Sequence, residues 1–140
     1  MIILDTNVLS ELMRPSPSPR VVSWIGKQST TELFTTTITE AEIFDGLELL
    51  ARDKRREKLL AAADAMFTED FESRVLGFES NAARAFSAIA AHRRTIGRPI
   101  SHADAQIAAI ALVRRTKLAT HHVSDFQHCS IDVVDPWTQP

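Results

Sequence analysis

The chain opens with four apolar residues, Met1-Ile2-Ile3-Leu4, and an aspartate follows them at once. An unbroken apolar run of this kind fits a parallel strand covered on both faces; a strand with one wet face would alternate. Parallel neighbours need a crossover of a dozen or more residues, usually a helix. The rest of the chain should therefore alternate strands with helices. Thr6 to Met13 predicts a short helix, ended by Pro15, Pro17 and Pro19 among serines. Val21, Val22, Trp24 and Ile25 mark a second short helix, and Leu33 to Thr36 a strand. Three longer helices follow, with apolar faces at Ile43, Phe44, Leu47, Leu50 and Ala51; at Leu59, Leu60, Ala63, Met66 and Phe67; and at Ala82, Ala83, Phe86, Ile89 and Ala90. Arg74 to Leu76 reads as a strand between the last two. Gly97-Arg98-Pro99 breaks the chain before residues 101–115, which are apolar almost all round after one turn and predict a buried helix. Leu118–Thr120 and Ile131–Val134 complete the strands. The expected fold is α/β, one domain over residues 1–140, with a central parallel sheet and helices on both faces.

Four acids fall at informative places in that scheme. Asp5 and Asp125 follow strands or the loops after them, and Glu42 and Asp104 open helices. In a parallel sheet these places converge on the carboxyl edge of the strands. Carboxylates gathered there repel one another unless a cation neutralises them, and hard oxygen donors select Mg²⁺ or Mn²⁺. Each acid also has a purely structural reading. Thr39-x-x-Glu42 fits a capping box, Ser101-x-x-Asp104 a looser one, Asp5 a helix cap and Asp125 a turn. Taken singly, capping is the better account of each. Capping does not explain why all four would share one edge. Thr6 and Ser10 can hold Asp5 by hydrogen bonds or act as local caps, the latter preferred for Ser10. Gly46, one turn after Glu42, allows a close approach of substrate or backbone, or serves packing.

The remaining composition narrows the setting. One cysteine, Cys129, excludes an intrachain disulfide framework and fits a reducing compartment. The longest apolar helical run, Ile107 to Val113, is too short to cross a bilayer, and the start lacks a basic segment followed by an apolar one. The expectation is a cytoplasmic, soluble protein. A net charge of -2 argues against a general nucleic-acid coat. Local basic groups occur at Arg52, Lys54, Arg55, Arg56 and Lys58, at Arg93, Arg94 and Arg98, and at Arg114, Arg115 and Lys117. Their default reading is solvated helix faces and carboxyl-terminal helix charges.

The matching segments resemble a PIN-domain ribonuclease, specifically a VapC-type toxin of the FitB-like group. They are Met1-Ile2-Ile3-Leu4-Asp5-Thr6-Asn7-Val8-Leu9-Ser10-Glu11, then Ile38-Thr39-Glu40-Ala41-Glu42-Ile43, then residues 100–111 around Ser101-His102-Ala103-Asp104-Ala105-Gln106, then Leu118-Ala119-Thr120, Val123-Ser124-Asp125-Phe126 and Asp135-Pro136-Trp137. They span nearly the whole chain in order. The resemblance implies a compact α/β/α PIN-like domain, usually a homodimer, with Mg²⁺ or Mn²⁺ at Asp5, Glu42, Asp104 and Asp125. It implies cleavage of RNA, inhibition by a small cognate antitoxin, and contact with DNA only through that antitoxin. One departure stands out. After Leu-Ala-Thr the family usually has Arg-Asn, and this chain has His121-His122.

Adjacent histidines invite a zinc site, but neighbours in an extended segment point to opposite faces, so only one can enter the pocket. No Cys pair or HExxH motif accompanies them. His122 is thus either a group at the acidic site or a rim residue, and His102 a surface residue at a helix start. Trp24 and Trp137 are expected to pack in the core or at a dimer interface. Two other readings stay open. An aspartate-dependent phosphatase would also place an aspartate after the first strand, though it would want a second acid where Asn7 stands. A degenerate domain that binds RNA or protein without cleavage is favoured only by His121-His122.

Overall fold

The computed structural model describes all 140 residues. Its centre is a five-stranded sheet of order β3-β2-β1-β4-β5, formed by β1 (Ile2–Leu4), β2 (Leu33–Thr36), β3 (Val75–Leu76), β4 (Lys117–Ala119) and β5 (Val133–Val134). Every pairing is parallel. Ile3 lies in register with Phe34 on one side and Leu118 on the other, which explains the unbroken apolar run at the start. The strand has neighbours on both edges and helices on both faces.

The pleat divides the core in two. Ile2, Leu4 and Ala119 face a cluster with Val8, Leu9, Val21, Trp24, Ile43, Leu47 and Phe67. This layer is built by α1 (Thr6–Leu12), α2 (Pro19–Gly26), α3 (Thr37–Glu48) and α4 (Lys54–Ala65). Ile3 and Leu118 face the opposite cluster with Ala82, Ile89, Ile107, Ile110 and Phe126. Here lie α5 (Ser80–Thr95) and α6 (His102–Arg114). In α6, Ala105 and the run Ile107–Ala111 are all buried, as a helix apolar on every side requires. Trp24 is buried in the first cluster and Trp137 packs against it. Gly97, at a φ of +74°, ends the segment after α5 where a side chain would be strained.

Three local expectations need correction. α3 starts at Thr37, because the Thr36 hydroxyl accepts the Thr39 N–H at 3.1 Å. Thr36 is the cap, and Glu42 sits in the second turn instead of opening the helix. The same helix ends at Glu48, so Leu50 and Ala51 fall outside it and Leu49 is 82% exposed. Arg93 is no surface charge. It is buried, donating to the carbonyls of Arg98 at 2.6 Å, Asp125 at 2.9 Å and Gln127 at 3.0 Å.

The order 3-2-1-4-5 makes the crossovers leave β1 toward β2 on one side, while β4 joins on the other. Their carboxyl ends open a crevice at this reversal, the usual place for a ligand in an open parallel sheet.

Candidate active site

Asp5 is the residue that follows β1, and it stands at that crevice. Only 4% of it is exposed. Its backbone N–H completes the ladder to Ala119, and its side chain caps α1 by accepting the Thr6 N–H at 2.8 Å. The capping reading is therefore correct for Oδ1. Oδ2 accepts from the Thr120 hydroxyl at 2.8 Å and the Asn7 amide at 2.9 Å. Burial raises the Asp5 pKa above the usual carboxylate range, opposed by the bonds from Thr120, Thr6 and Asn7 and assisted by the Glu42 charge.

Glu42 reaches the same place from the second turn of α3. Its Oε1 accepts the Thr6 hydroxyl at 2.7 Å, and that hydroxyl lies 3.1 Å from Thr39 Oγ1. Thr6 thus links two of the acids, its N–H to Asp5 and its hydroxyl to Glu42. Ser10 makes no hydrogen bond to Asp5 and only lines the cavity. Asp104 comes from the first turn of α6, where the Ser101 hydroxyl caps the Asp104 N–H at 3.2 Å. Its pKa is raised to about 6, first by burial, then by the charges of Asp5, Asp125 and Glu42, with the Ser101 hydrogen bond opposing.

Asp5, Glu42 and Asp104 line one cavity of about 500 Å³ with Thr6, Asn7, Glu11, Arg14 and His122, and no hydrophobic side chain contributes. No Lys or Arg forms an ion pair with Asp5, Glu42, Asp104 or Asp125. The residue pattern matches the PIN-domain family over residues 2–129. The chain belongs to the PIN-domain family.

Its relatives sharpen that placement. The chain is 35% identical over 137 residues to the VapC ribonuclease Y4jK of Sinorhizobium fredii, covering 98% of both chains. It is 34% identical over 137 residues to the toxin FitB of Neisseria gonorrhoeae, covering 98% of this chain and 99% of that one. Among solved structures, FitAB bound to a DNA fragment superimposes with a TM-score of 0.93 at 33% identity, over 100% of this chain and 98% of that one.

The fourth acid of this PIN domain is placed differently from the other three. Asp125 lies on a 3₁₀ turn, Val123–Phe126, after β4. Its side chain is 56% exposed, and the nearest basic group is His122 Nδ1 at 3.9 Å. It stands at the rim, near enough for its charge to raise Asp104. The two histidines do diverge. His122 lines the acidic cavity. His121 turns away, with Nδ1 3.2 Å from Asp135 Oδ2 and its ring 4.4 Å from the Trp137 ring. His102 stays at the start of α6 against Phe86.

Several site residues escaped attention in the sequence. Thr120 is fully buried and serves three groups: it donates to Asp5, and accepts from Asn7 at 3.0 Å and from the His122 N–H at 3.1 Å. Asn7 Oδ1 also accepts the His121 N–H at 2.8 Å. Together they tie the end of β4 to the end of β1. The signal was available: Thr120 directly follows the apolar strand β4, and Asn7 lies two residues past Asp5 in the first turn of α1. Arg93 holds the backbone of the loop carrying Asp125, and nothing in the sequence separates it from Arg94. Glu11 is a fifth acid at the cavity. The Ser18 N–H, then Arg14, hold its carboxyl below the usual range against the opposing effect of burial.

The donor set fits a hard divalent cation. All four acids offer oxygen, three share one cavity, and their charges are unneutralised by Lys or Arg. No three His, Cys, Asp or Glu side chains stand in a closed coordination set. The fit is one of donor chemistry and unbalanced charge.

Proposed function

We propose that this protein is a divalent-metal-dependent endoribonuclease, the toxin of a type II toxin–antitoxin module, with residues 1–140 acting as one nuclease unit. The observation that carries this reading is the cavity at the sheet's reversal point, where Asp5, Glu42 and Asp104 gather without a basic partner. Asp5, Asp104 and Asp125 would hold one or two Mg²⁺ or Mn²⁺ ions, with Glu42 a ligand or a base. The cation, when bound, supplies an activated water and neutralises charge building on the phosphoryl oxygens.

The chain's own groups do the positioning. Thr120, Asn7 and the Thr6 N–H fix Asp5 in one orientation, a preorganisation that supports ligand residues generally. The Thr6 hydroxyl occupies Glu42 Oε1, leaving Oε2 to accept a proton from the attacking water. The cavity offers no array of base-reading groups, so target choice rests on RNA shape and on basic contacts around the pocket.

The relatives named as a VapC ribonuclease and as toxin FitB support the ribonuclease and toxin roles. The FitAB–DNA complex supports a small antitoxin partner, with DNA reached only through it. In this reading the protein works in the cytoplasm as a homodimer. An arginine of the antitoxin caps the carboxylates, since a guanidinium pairs with them bidentately.

Expression in a bacterial host tests the biological role. Expression alone should slow growth. The Asp5→Asn variant should not, and co-expression of the neighbouring small gene should relieve the defect. Harmless overproduction of a protein that cleaves RNA well in vitro would end the toxin reading. Hydrolysis of a phosphomonoester but not RNA would favour the phosphatase, and loss of both activities with RNA binding retained would favour a non-catalytic domain.

A further inference from the structure

A second cavity, of about 650 Å³, opens directly off the acidic one between α1, α3 and α4, and shares Thr6, Ser10, Arg14 and Glu42 with it. Its floor is apolar: Met13, Ile43, Leu47 and Leu59. Its far rim is basic, with Arg55 and Lys58 exposed on α4. Neither forms a hydrogen bond or ion pair, whereas their neighbour Arg56 is tied to Leu47 O at 3.1 Å and to Glu48 at 3.0 Å.

Two features of this cleft are unexplained by folding. The first is where the charges sit. α4 begins Lys54-Arg55-Arg56, so its cations crowd the positive end of the helix dipole, where they are disfavoured. Asp53 caps the helix, Glu57 lies in the same turn and Arg56 is tied to Leu47 and Glu48, so Arg55 and Lys58 are the cations left unpaired toward the cleft. The second is Gly46. A glycine inside a helix weakens it relative to alanine. Yet Gly46 needs no unusual backbone angle, and a Cβ built there meets nothing within 4 Å. No neighbour excludes a side chain. A larger residue would simply project into the cleft, which Gly46 lines.

We infer that this cleft receives the RNA nucleotide next to the scissile phosphate, its base lying on the Ile43–Leu47–Leu59 floor beside Gly46 and its flanking phosphates on Arg55, Lys58 and Arg14. The inference rests on the ribonuclease reading and deepens it. An RNA strand whose reacting phosphate lies at the carboxylates must leave the acidic cavity through a neighbouring channel. This cleft is continuous with it and carries opposite charge. An apolar floor with few polar groups accepts any base by its flat face, so the subsite grips the chain without selecting sequence. Acidic side chains of a partner helix would pair with Arg55 and Lys58 as well, so RNA binding and antitoxin binding are measured separately.

The test is binding of a fluorescent single-stranded RNA by anisotropy in chelator, where the RNA should stay intact, with cleavage of the same RNA in Mn²⁺ followed separately. The full chain is used, as wild type, Arg55→Glu/Lys58→Glu and Gly46→Leu, with Arg84→Glu on α5 as a charge control. The double reversal should raise Kd roughly tenfold or more at ~0.1 M salt. It should also flatten the dependence of log Kd on log salt by about 1.4, at ~0.7 per lost single-strand phosphate contact. Gly46→Leu should weaken binding several-fold with the salt dependence intact, while melting no lower than wild type. Arg84→Glu should stay within twofold. Unchanged Kd in both cleft variants overturns the inference. So does a result in which they lose only the antitoxin, measured by co-purification, and bind RNA normally. Wild type that binds RNA through the cleft but never cleaves it would remove the nuclease reading and leave this inference standing.

Discussion

Asp104 should make the metal-free protein less stable above about pH 6 than an uncharged residue there would, and this can be measured without any activity. Its pKa rises from the ordinary 3.8 to about 6. A raised carboxyl pKa means the folded state keeps a proton that the unfolded chain has released between those two values. The stability tied to that proton is fully present below about pH 3.8 and is lost as pH rises through about 6. The full difference, at 1.36 kcal/mol per pH unit, is roughly 3 kcal/mol. Asp104 is only partly buried, so solvent screening reduces this to about 1–2 kcal/mol. Asp104→Asn keeps the shape and removes the charge. In chelator at pH 7.5 the variant should melt about 3–8 °C above wild type by calorimetry. At pH 4 the two should nearly coincide. Adding Mn²⁺ should raise wild type more than the variant, because the cation offsets the repulsion that the substitution has already removed. A variant that melts below wild type at pH 7.5, or by the same margin at both pH values, would refute the reasoning.

Further outcomes follow from the same geometry. Thr120→Val removes a buried hydroxyl that donates to Asp5 and accepts from Asn7 and His122, so metal affinity should fall about 10–100-fold, read by titrating Mn²⁺ against the melting temperature. Arg93→Met leaves three carbonyls without their donor and should cost about 2–4 kcal/mol; an unchanged urea midpoint would contradict the placement. His122→Asn should shift the metal preference of RNA cleavage toward Mg²⁺, while His121→Asn, facing Asp135 and Trp137, should not. Equal preferences for His122→Asn and wild type would make His122 a rim residue only.

Much of the architecture could be read from periodicity. β1 and α6 were legible because burial on all sides leaves an unbroken apolar signature. α4 and α5 were legible because Leu59 and Ala63, or Ala82, Phe86 and Ile89, recur at helical spacing, although α4 ends at Ala65 and Met66 and Phe67 continue the expected face in a π-helical turn. Boundaries were harder. Thr36 and Thr39 offer the same hydroxyl three residues apart, and only the preceding strand decides which one caps α3. The consequence reached the site, since Glu42 caps nothing and its Oε1 instead accepts the hydroxyl of Thr6, the residue beside Asp5. The acids Asp5, Asp104 and Glu42 were brought to one cavity as their places on strands and helices implied. What holds them was not legible. Thr120 and Asn7 are one hundred and thirteen positions apart, and their contact exists only once β1 pairs with β4. Arg93 reads as one of several arginines at the end of a helix, because burial of a guanidinium by carbonyls leaves no local pattern.

The central claim is that the carboxylates work through a divalent cation on RNA. Its most direct test is cleavage of a defined RNA by chelated protein, then by the same protein with Mg²⁺ or Mn²⁺ restored, beside a folded Asp5→Asn variant. The account predicts no cleavage in chelator, recovery on adding either ion, and no recovery in the variant. Full cleavage in chelator, or undiminished cleavage by Asp5→Asn, would contradict it.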